Sequence, residues 1–537
     1  MNNKGITLVA LVVTVIILLI LAGVTVAALT GDNGLIKNAG DAKIESEKSA
    51  IRETIEVECI AIEGNRSLRG KTDKEKLEVL AEKLKTKNGL EEENSNYLIS
   101  SKFITITTKQ GFIFTVLYDS TIIEGKLAYL DIAEGTIELK ENSYKQGENE
   151  YEYKGKYIIT GTTTENIVKI TQKGTYDITI KDLNIDVKNS NYCAINASGK
   201  SIETYVTITL EGNNYLQSGY GPGLGFAGAK ANINGITNGS TLTIEGNGNL
   251  EAKGLGNGYA ASGIGSSYGG DARGAVNNIT INSGNITAIG KGNASGIGSV
   301  LYGNTNNIVI NGGNVYAKAG NGSGIGSRGG TVDNIIINGG NITAIAGDYG
   351  AGIGGTNSGS GKIQINGGII KAQGIYQFSA IGGRCKAVQI NGGTIKAIST
   401  RNEGISCDTE GSIMITGGNV LAKGKNFNIA TLEEETSNLV KYIPTNGTND
   451  LYVTPIKLSN AVGNEKIEEV TTSDNINYVI SDMFTLEDDT TTSNIDETGM
   501  VYLYLPKGIR KINIKANGKT YSGTIETTEI ESINTLN

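Results

Sequence analysis

The chain has 537 residues, 75 of them glycine and only 4 proline, with no histidine and no tryptophan. Such a length exceeds one ordinary compact core and calls for several domains or an elongated repeat, while glycine at about twice the usual ~7 %, without proline, excludes collagen and proline-rich disorder. The net charge of −8 lacks the basic surplus of a nucleic-acid binder, and four scattered cysteines (Cys59, Cys193, Cys385, Cys407) with neither CxxC spacing nor histidine exclude an ordinary zinc site.

From Ile6 to Leu29 there are 24 residues without a charge, long enough to cross a ~30 Å hydrocarbon core as a helix. Lys4 and the amino terminus precede this run, which orients the remainder outward. Residues 1–30 are therefore expected to form a single membrane helix, with the bulk of the chain at the cell surface. The words MNNKGITLVALVV resemble the class III signal of type IV prepilins. That resemblance implies cleavage between Gly5 and Ile6 by a prepilin peptidase, and a pilus or type II secretion-like machinery as partner. Pilins usually carry glutamate at the fifth mature position, where this chain has Ala10. A minor pilin or a plain anchor is expected rather than a major filament subunit.

Residues 31–147 read as a pilin-like stalk helix (LIKNAGDAKIESEKSAIRETIEVECIAI) followed by a small α/β head. In TDKEKLEVLAEKLKTKN, Thr72 and Glu75 stand at capping-box spacing. FITITTKQGFIFTVLYD alternates as a hairpin through Gln110-Gly111.

Residues 148–430 repeat the phrase I-N-G-G-x-I-x-A. Its two apolar markers fall at Ile180/Ile185, Leu210/Leu216, Ile244/Leu250, Ile281/Ile286, Ile310/Val315, Ile337/Ile342, Ile365/Ile370, Ile390/Ile395 and Ile415/Val420. A third marker keeps step, mostly as the isoleucine of a GIG phrase: Ile195, Leu224, Ile264, Ile297, Ile325, Ile353, Ile381, Ile405 and Ile429. Ile279 and Ile281 share one face of a strand, Ile286 and Ala288 one face of the next, and Ile297 sits between glycines in a short third. Three short strands per cycle, each pointing one or two apolar residues inward, predict a mainly β protein built on a right-handed parallel β-helix of about nine rungs, a rod of roughly 40 Å at ~4.8 Å per rung. An array of β-sandwiches is the competing architecture. Asn282, Asn311, Asn338, Asn366 and Asn391 fall at equivalent turn positions, where stacked amides form a ladder.

The INGGxI/GIG units, with YKGKYIITGTTTENIVKI and YDITIKDLNIDVKNSNYCAINA, resemble the glycine-rich AGIGG-type modules of large surface proteins from gut Firmicutes. The resemblance implies surface display on a carbohydrate-binding β-helix. Residues 431–537 read as a small β domain, Ig-like or similar, with a type I′ hairpin at Asn517-Gly518, placed to cover the open end of the helix. The acidic loop 487–499 is a possible calcium site, although without the ordered D-x-D-x-D-G spacing, and no other cofactor is expected.

Between residues 255 and 400, nine lysines and arginines stand against three aspartates, Asp271, Asp333 and Asp348, a balance of +6. Three separate acids on different rungs give no carboxylate pair for glycoside hydrolysis, so a non-enzyme is expected, with a β-helix lyase or hydrolase as alternative. Lys371 and Lys396 are equivalent outward positions of successive rungs. With Lys318, Arg328, Tyr302, Tyr316, Tyr349 and Tyr376, and with Tyr259 and Phe378 nearby, they are the candidate contacts for a polysaccharide or wall glycan. A structural spacer is the reading if they bind nothing. Cys385 and Cys407 lie on consecutive rungs, four and two residues past Ile381 and Ile405, so a disulfide between them is conceivable but their offsets differ.

Overall fold

The computed structural model describes residues 17, 35–189, 193–196, 204–219, 224–225, 241–255, 260–266, 276–408, 411–415, 419–423, 429–431, 440–442, 451–461, 467–474, 495, 499–528 and 532–537. The chain divides into two units, Met1–Tyr129 and Leu130–Asn537. Gly5, Ile6 and the apolar run apart from Ile17 lie outside the described residues, as do Tyr259, Asp271, Arg273 and most of the 487–499 loop. Among the described residues no helix is long and apolar enough to cross a membrane.

In the first unit, helix α1 (Leu35–Glu63) buries Ile51, Ile55, Cys59 and Ile62, a stripe at helical spacing. Helix α2 (Asp73–Leu84) begins with the expected capping box: Glu75 N donates to Thr72 Oγ1 at 3.3 Å, and Thr72 N donates to the Glu75 carboxylate at 2.8 Å. Both helices pack on an antiparallel sheet of Ser95–Ile99, Phe103–Thr108, Ile113–Leu117 and Ile122–Glu124. Its central hairpin turns at Gly111, with φ 85°. Glu58 of α1 is buried between Lys87 at 2.6 Å and Lys83 at 3.7 Å.

The second unit is a parallel β-helix with three faces. First-face strands include Thr241–Gly246, Val276–Ile281, Thr305–Ile310 and Val332–Ile337; second-face strands include Asn249–Gly254, Asn285–Ile289, Asn314–Lys318, Asn341–Ile345, Ile369–Gly374 and Thr394–Ser399. The third face is a column of two-residue strands such as Ile264–Gly265, Ile297–Gly298 and Ile325–Gly326. Each strand pairs in parallel with its equivalent one coil on. Inside, Ile281, Ile310, Ile337, Ile365 and Ile390 stack in register, as do Ala288, Ala317, Ala344, Ala372 and Ala397, and Ile264, Ile297, Ile325, Ile353 and Ile381, all without exposure. Each buried isoleucine contributes about 2 kcal/mol of transfer free energy. From Ile264 to Ile381 each third-face isoleucine is followed by a glycine, and the stacking of the coils requires it there. Gly298 has φ 123°, and a Cβ there would lie 2.1 Å from the carbonyl oxygen of Gly326 in the next coil.

The ladder runs past both ends of the 148–430 span. Ile137–Leu139 pairs in parallel with Val168–Ile170 upstream, and Val440–Tyr442 with Ser412–Ile415 downstream. Near the amino-terminal end a hairpin, Ser143–Gln146 with Asn149–Glu152, buries Tyr144 completely against Tyr151, Tyr153 and Tyr157, with ring centres 5.0, 5.7 and 6.2 Å away.

One register departs from the repeat spacing. Ile244 pairs with Ile208 rather than Leu210, and Leu250 with Asn214 rather than Leu216. A slip of two keeps apolar residues inward because a strand repeats every two residues, so alternation alone does not detect it. Asn214 takes the position that Leu250 fills in the next coil. Its Oδ1 accepts from Leu183 N at 3.0 Å, and its Nδ2 donates to the carbonyls of Glu211 and Asn249 at 3.0 and 3.1 Å.

Beyond the helix, Leu451–Leu458, Met500–Pro506 and Asn534–Leu536 form one sheet, and Ile467–Thr472, Gly508–Ala516 and Lys519–Thr527 another, around a shared core that includes Ile456, Leu505, Ile514 and Ile525. Asn517 and Gly518 both have positive φ, 47° and 73°, as the type I′ turn requires. Tyr442 of the last helix strand pairs with Leu451, so the small domain continues the ladder.

Candidate binding faces of the helix

Alternation sends every second residue of a second-face strand outward. Register then sorts these residues into rows. Tyr215, Glu251, Thr287, Tyr316, Thr343, Lys371 and Lys396 are consecutive members of one row. A neighbouring row holds Gln217, Lys253, Ile289, Lys318 and Ile345. Along the other edge runs an asparagine rail: Asn249 Nδ2 donates to Asn213 Oδ1 at 2.6 Å, Asn285 to Asn249 at 2.9 Å and Asn314 to Asn285 at 2.6 Å. Rail and central row bound a shallow groove of about 650 Å³ that reaches from Asn213 to Asn341.

Tyr215 and Tyr316 stand three coils apart in the groove, about 14 Å along the axis. Lys253 lies 5.1 Å from the Tyr215 ring centre and 2.6 Å from the Glu251 carboxylate. Its hydrogen bond to Glu251 raises its pKa, and burial raises that of the Tyr316 phenol. Both groups keep their protons at neutral pH and are available as donors.

The eight charged and aromatic residues singled out in the sequence fall into separate groups. Tyr316, Lys371 and Lys396 share the central row, with Lys318, exposed, in the row beside it. Lys371 differs from its expected role. Lys371 and Lys396 are paired neighbours, as the spacing requires, but Lys371 is only 5 % exposed and already takes part in a polar contact. With neighbours above and below at ~4.8 Å, its side chain is covered rather than presented to solvent. Lys396 is half-buried.

Tyr302, Arg328 and Tyr349 form a second group on the corners flanking the third face. The Arg328 guanidinium stacks on the Tyr349 ring, 4.6 Å from its centre, and donates to Asn293 Oδ1. Tyr302 N donates to the Arg328 carbonyl at 2.8 Å, and its ring is 53 % exposed. Burial lowers the Arg328 pKa, and the two tyrosines partly offset that. Tyr376 forms a third contact, its ring 4.6 Å from the guanidinium of Arg401. Arg401 lies just past the 255–400 window and was missed for that reason. The asparagine rail was also missed, although Asn stands before the second apolar marker in GNL, GNI, GNV and GNI.

The turn asparagines stack as expected. Asn311 Nδ2 donates to Asn282 Oδ1 at 2.9 Å, Asn338 to Asn311 and Asn366 to Asn338 at 2.7 Å, and Asn391 to Asn366 at 2.8 Å. Asp333 is the second residue of a first-face strand, Val332–Ile337, and Asp348 lies on the corner after the second face. Among the described residues no three His, Cys, Asp or Glu side chains gather to hold a metal.

Four stretches, 242–268, 279–299, 308–331 and 335–359, match the family model described as Beta helix repeat. Their first residues, Leu242, Ile279, Ile308 and Ile335, are register equivalents on the first face. These stretches are β-helix repeats. Comparison with curated proteins and with solved structures gave no match.

Proposed function

We propose that this protein is displayed outside the cell on an amino-terminal membrane helix and that its β-helix binds polysaccharide without cleaving it. The second-face groove carries the reading. Tyr215 and Tyr316 offer apolar platforms for sugar faces, while the asparagine amides, Lys253 and Lys318 offer donors and acceptors for hydroxyls along several coils. The Tyr302–Arg328–Tyr349 group is a second contact for the same polymer, with a guanidinium suited to an oxyanion. Binding is favoured over cleavage because Asp333 and Asp348 stand on different sides of the coil instead of facing each other as an acid/base pair.

The apolar run Ile6–Leu29 and the Lys4-Gly5-Ile6 signal support the anchor and a prepilin-type cut, and the α1 stalk with its small head supports a minor-pilin role. The test is retention of the detergent-solubilised full chain on neutral and uronic-acid polysaccharides, with and without calcium, scored also for newly formed chain ends. Salt-sensitive retention without new ends is expected, at least about tenfold weaker for the Tyr215→Ala/Tyr316→Ala pair. New ends make the protein a lyase or hydrolase, and absence of retention makes it a spacer. A mature terminus beginning at Ile6 in the membrane fraction tests the anchor.

A further inference from the structure

Cys385 and Cys407 follow the third-face isoleucines of consecutive coils at unequal distances, which argues against their meeting. In the structure their sulfur atoms lie 3.9 Å apart, both thiols free and buried. Gly382 stacks on Ser406 as a regular third-face position, so the two surplus residues fall between it and Cys385, at a bend where Gly382 and Gly383 have φ 106° and 79°. Two left-handed residues in succession curl the chain, a conformation open to glycine at no steric cost. Gly383 N donates to Ser379 Oγ at 2.8 Å, which fixes the curl. The following strand then comes into step with the next coil, and Asp408 N donates to the Cys385 carbonyl at 3.0 Å.

We propose that Cys385 and Cys407 form a disulfide that staples these two coils together. A sulfur–sulfur bond of ~2.05 Å requires the pair to close by about 2 Å, within reach of small side-chain rotations when the backbones are already hydrogen-bonded neighbours. Nothing else explains the pair as a site: two sulfurs alone do not make a zinc centre, and among the described residues no third ligand stands with them. The ring so formed spans 22 residues in sequence, one turn of the helix, and carries Lys396 and Arg401. Terminal coils of a solenoid have a neighbour on one side only and open first. The staple sits near such an end: among the described residues the strands Ser412–Ile415, Asn419–Lys423, Ile429–Thr431 and Val440–Tyr442 follow it before the small domain.

The oxidant is an external disulfide, either oxidised glutathione or a thiol oxidoreductase. One cysteine thiolate attacks it and forms a mixed disulfide, releasing one external thiol. The other cysteine then attacks the protein sulfur of that mixed disulfide and expels the second thiol, so two protein thiols lose two hydrogens to the reagent. The neighbouring Cys407 thiol and burial hold the Cys385 pKa well above that of a free thiol. Exchange therefore proceeds while the last coils are open, during folding or end-fraying, rather than through the closed core.

The test uses the full chain in detergent, incubated in a redox buffer of oxidised and reduced glutathione. Remaining thiols are alkylated, and the protein is digested without reductant. The expected result is two alkylated cysteines, Cys59 and Cys193, a Cys385–Cys407 linked peptide lighter by about 2 Da than its two reduced halves, and a melting temperature several degrees above that of the reduced protein. In Cys385→Ala and Cys407→Ala variants the oxidation-dependent rise is absent, while their melting in reductant stays near the reduced parent. Four alkylated cysteines after oxidation, or a link involving Cys59, Cys193 or a second chain, overturns the proposal. The result is independent of glycan retention, so the two readings fail separately.

Discussion

Tyr302 and Gly329 occupy the same left-handed backbone position in consecutive coils. Their φ angles are 62° and 68°, and the register Thr305–Val332 places them 27 residues apart. A Cβ on Gly329 would approach the Tyr302 ring to 3.2 Å, so the small residue in one coil makes room for the large one in the other. The repeat accommodates glycine here without strain, whereas a tyrosine costs about 1–2 kcal/mol. Tyr302→Gly is expected to leave the melting temperature unchanged or slightly raised, and to weaken retention on acidic polysaccharides several-fold. A fall in melting temperature with unaltered retention would assign the ring a packing role instead.

Asn214 is a sharper test of the fold. It fills a position that is leucine one coil later, yet it bonds three backbone groups. Asn214→Leu restores the apolar column and strands those groups, and each orphaned buried partner costs about 1–3 kcal/mol. The variant is expected to lose stability in chemical denaturation. A gain would show that the column, not the polar network, governs this coil.

Third-corner glycine and isoleucine should differ in kind. Ile325→Val removes one methylene from a fully buried site, costing about 0.5–1.5 kcal/mol. Gly326→Ala places a Cβ 2.0 Å from the Gly354 carbonyl oxygen, at φ 132°. It is expected to cost more than Ile325→Val, read as the midpoint of unfolding, because a backbone atom of the next coil cannot move aside without breaking the stack.

Acid should act on the first unit through Glu58. Its hydrogen bond to Lys87 is the main cause holding its pKa below the ordinary carboxylate range, with Lys83 assisting. A carboxyl whose folded pKa is lowered adds stability above its unfolded pKa of ~4.3 and loses it as pH falls through the lower folded value. Glu58→Gln is therefore expected to destabilise at pH 7 and to flatten the acid limb below about pH 4.3, as followed by helical circular dichroism.

The coil was legible because each strand carries a two-residue alternation and the GIG phrase marks a corner where only glycine fits. Asn282 to Asn391 announced their ladder by equal spacing. The slip at Leu210 was not legible, since a two-residue shift preserves alternation and only the hydrogen bonds of Asn214 reveal it. Arg328 stacking on Tyr349 required the third face to be so short that loops from opposite corners come within reach, whereas Tyr376 and Arg401 each lie two residues past the paired Gly374 and Ser399, on the same corner of consecutive coils. Lys371 looked exposed because strand parity sets which way a side chain leaves the sheet, not what then lies over it.

The turn ladder also has polarity. In every link from Asn311 to Asn391 the amide nitrogen belongs to the later coil and the oxygen to the earlier one, so the side-chain dipoles add head to tail. The nitrogen left over at the early end, Asn282 Nδ2, donates to the carboxylate of Glu245 at 3.2 Å, and the oxygen at the late end, Asn391 Oδ1, accepts from Gln389 at 2.9 Å. The row is a wire of aligned amides terminated by an anion at its positive end, the arrangement that favours acidic residues at the start of an α-helix, achieved with no helix backbone at all.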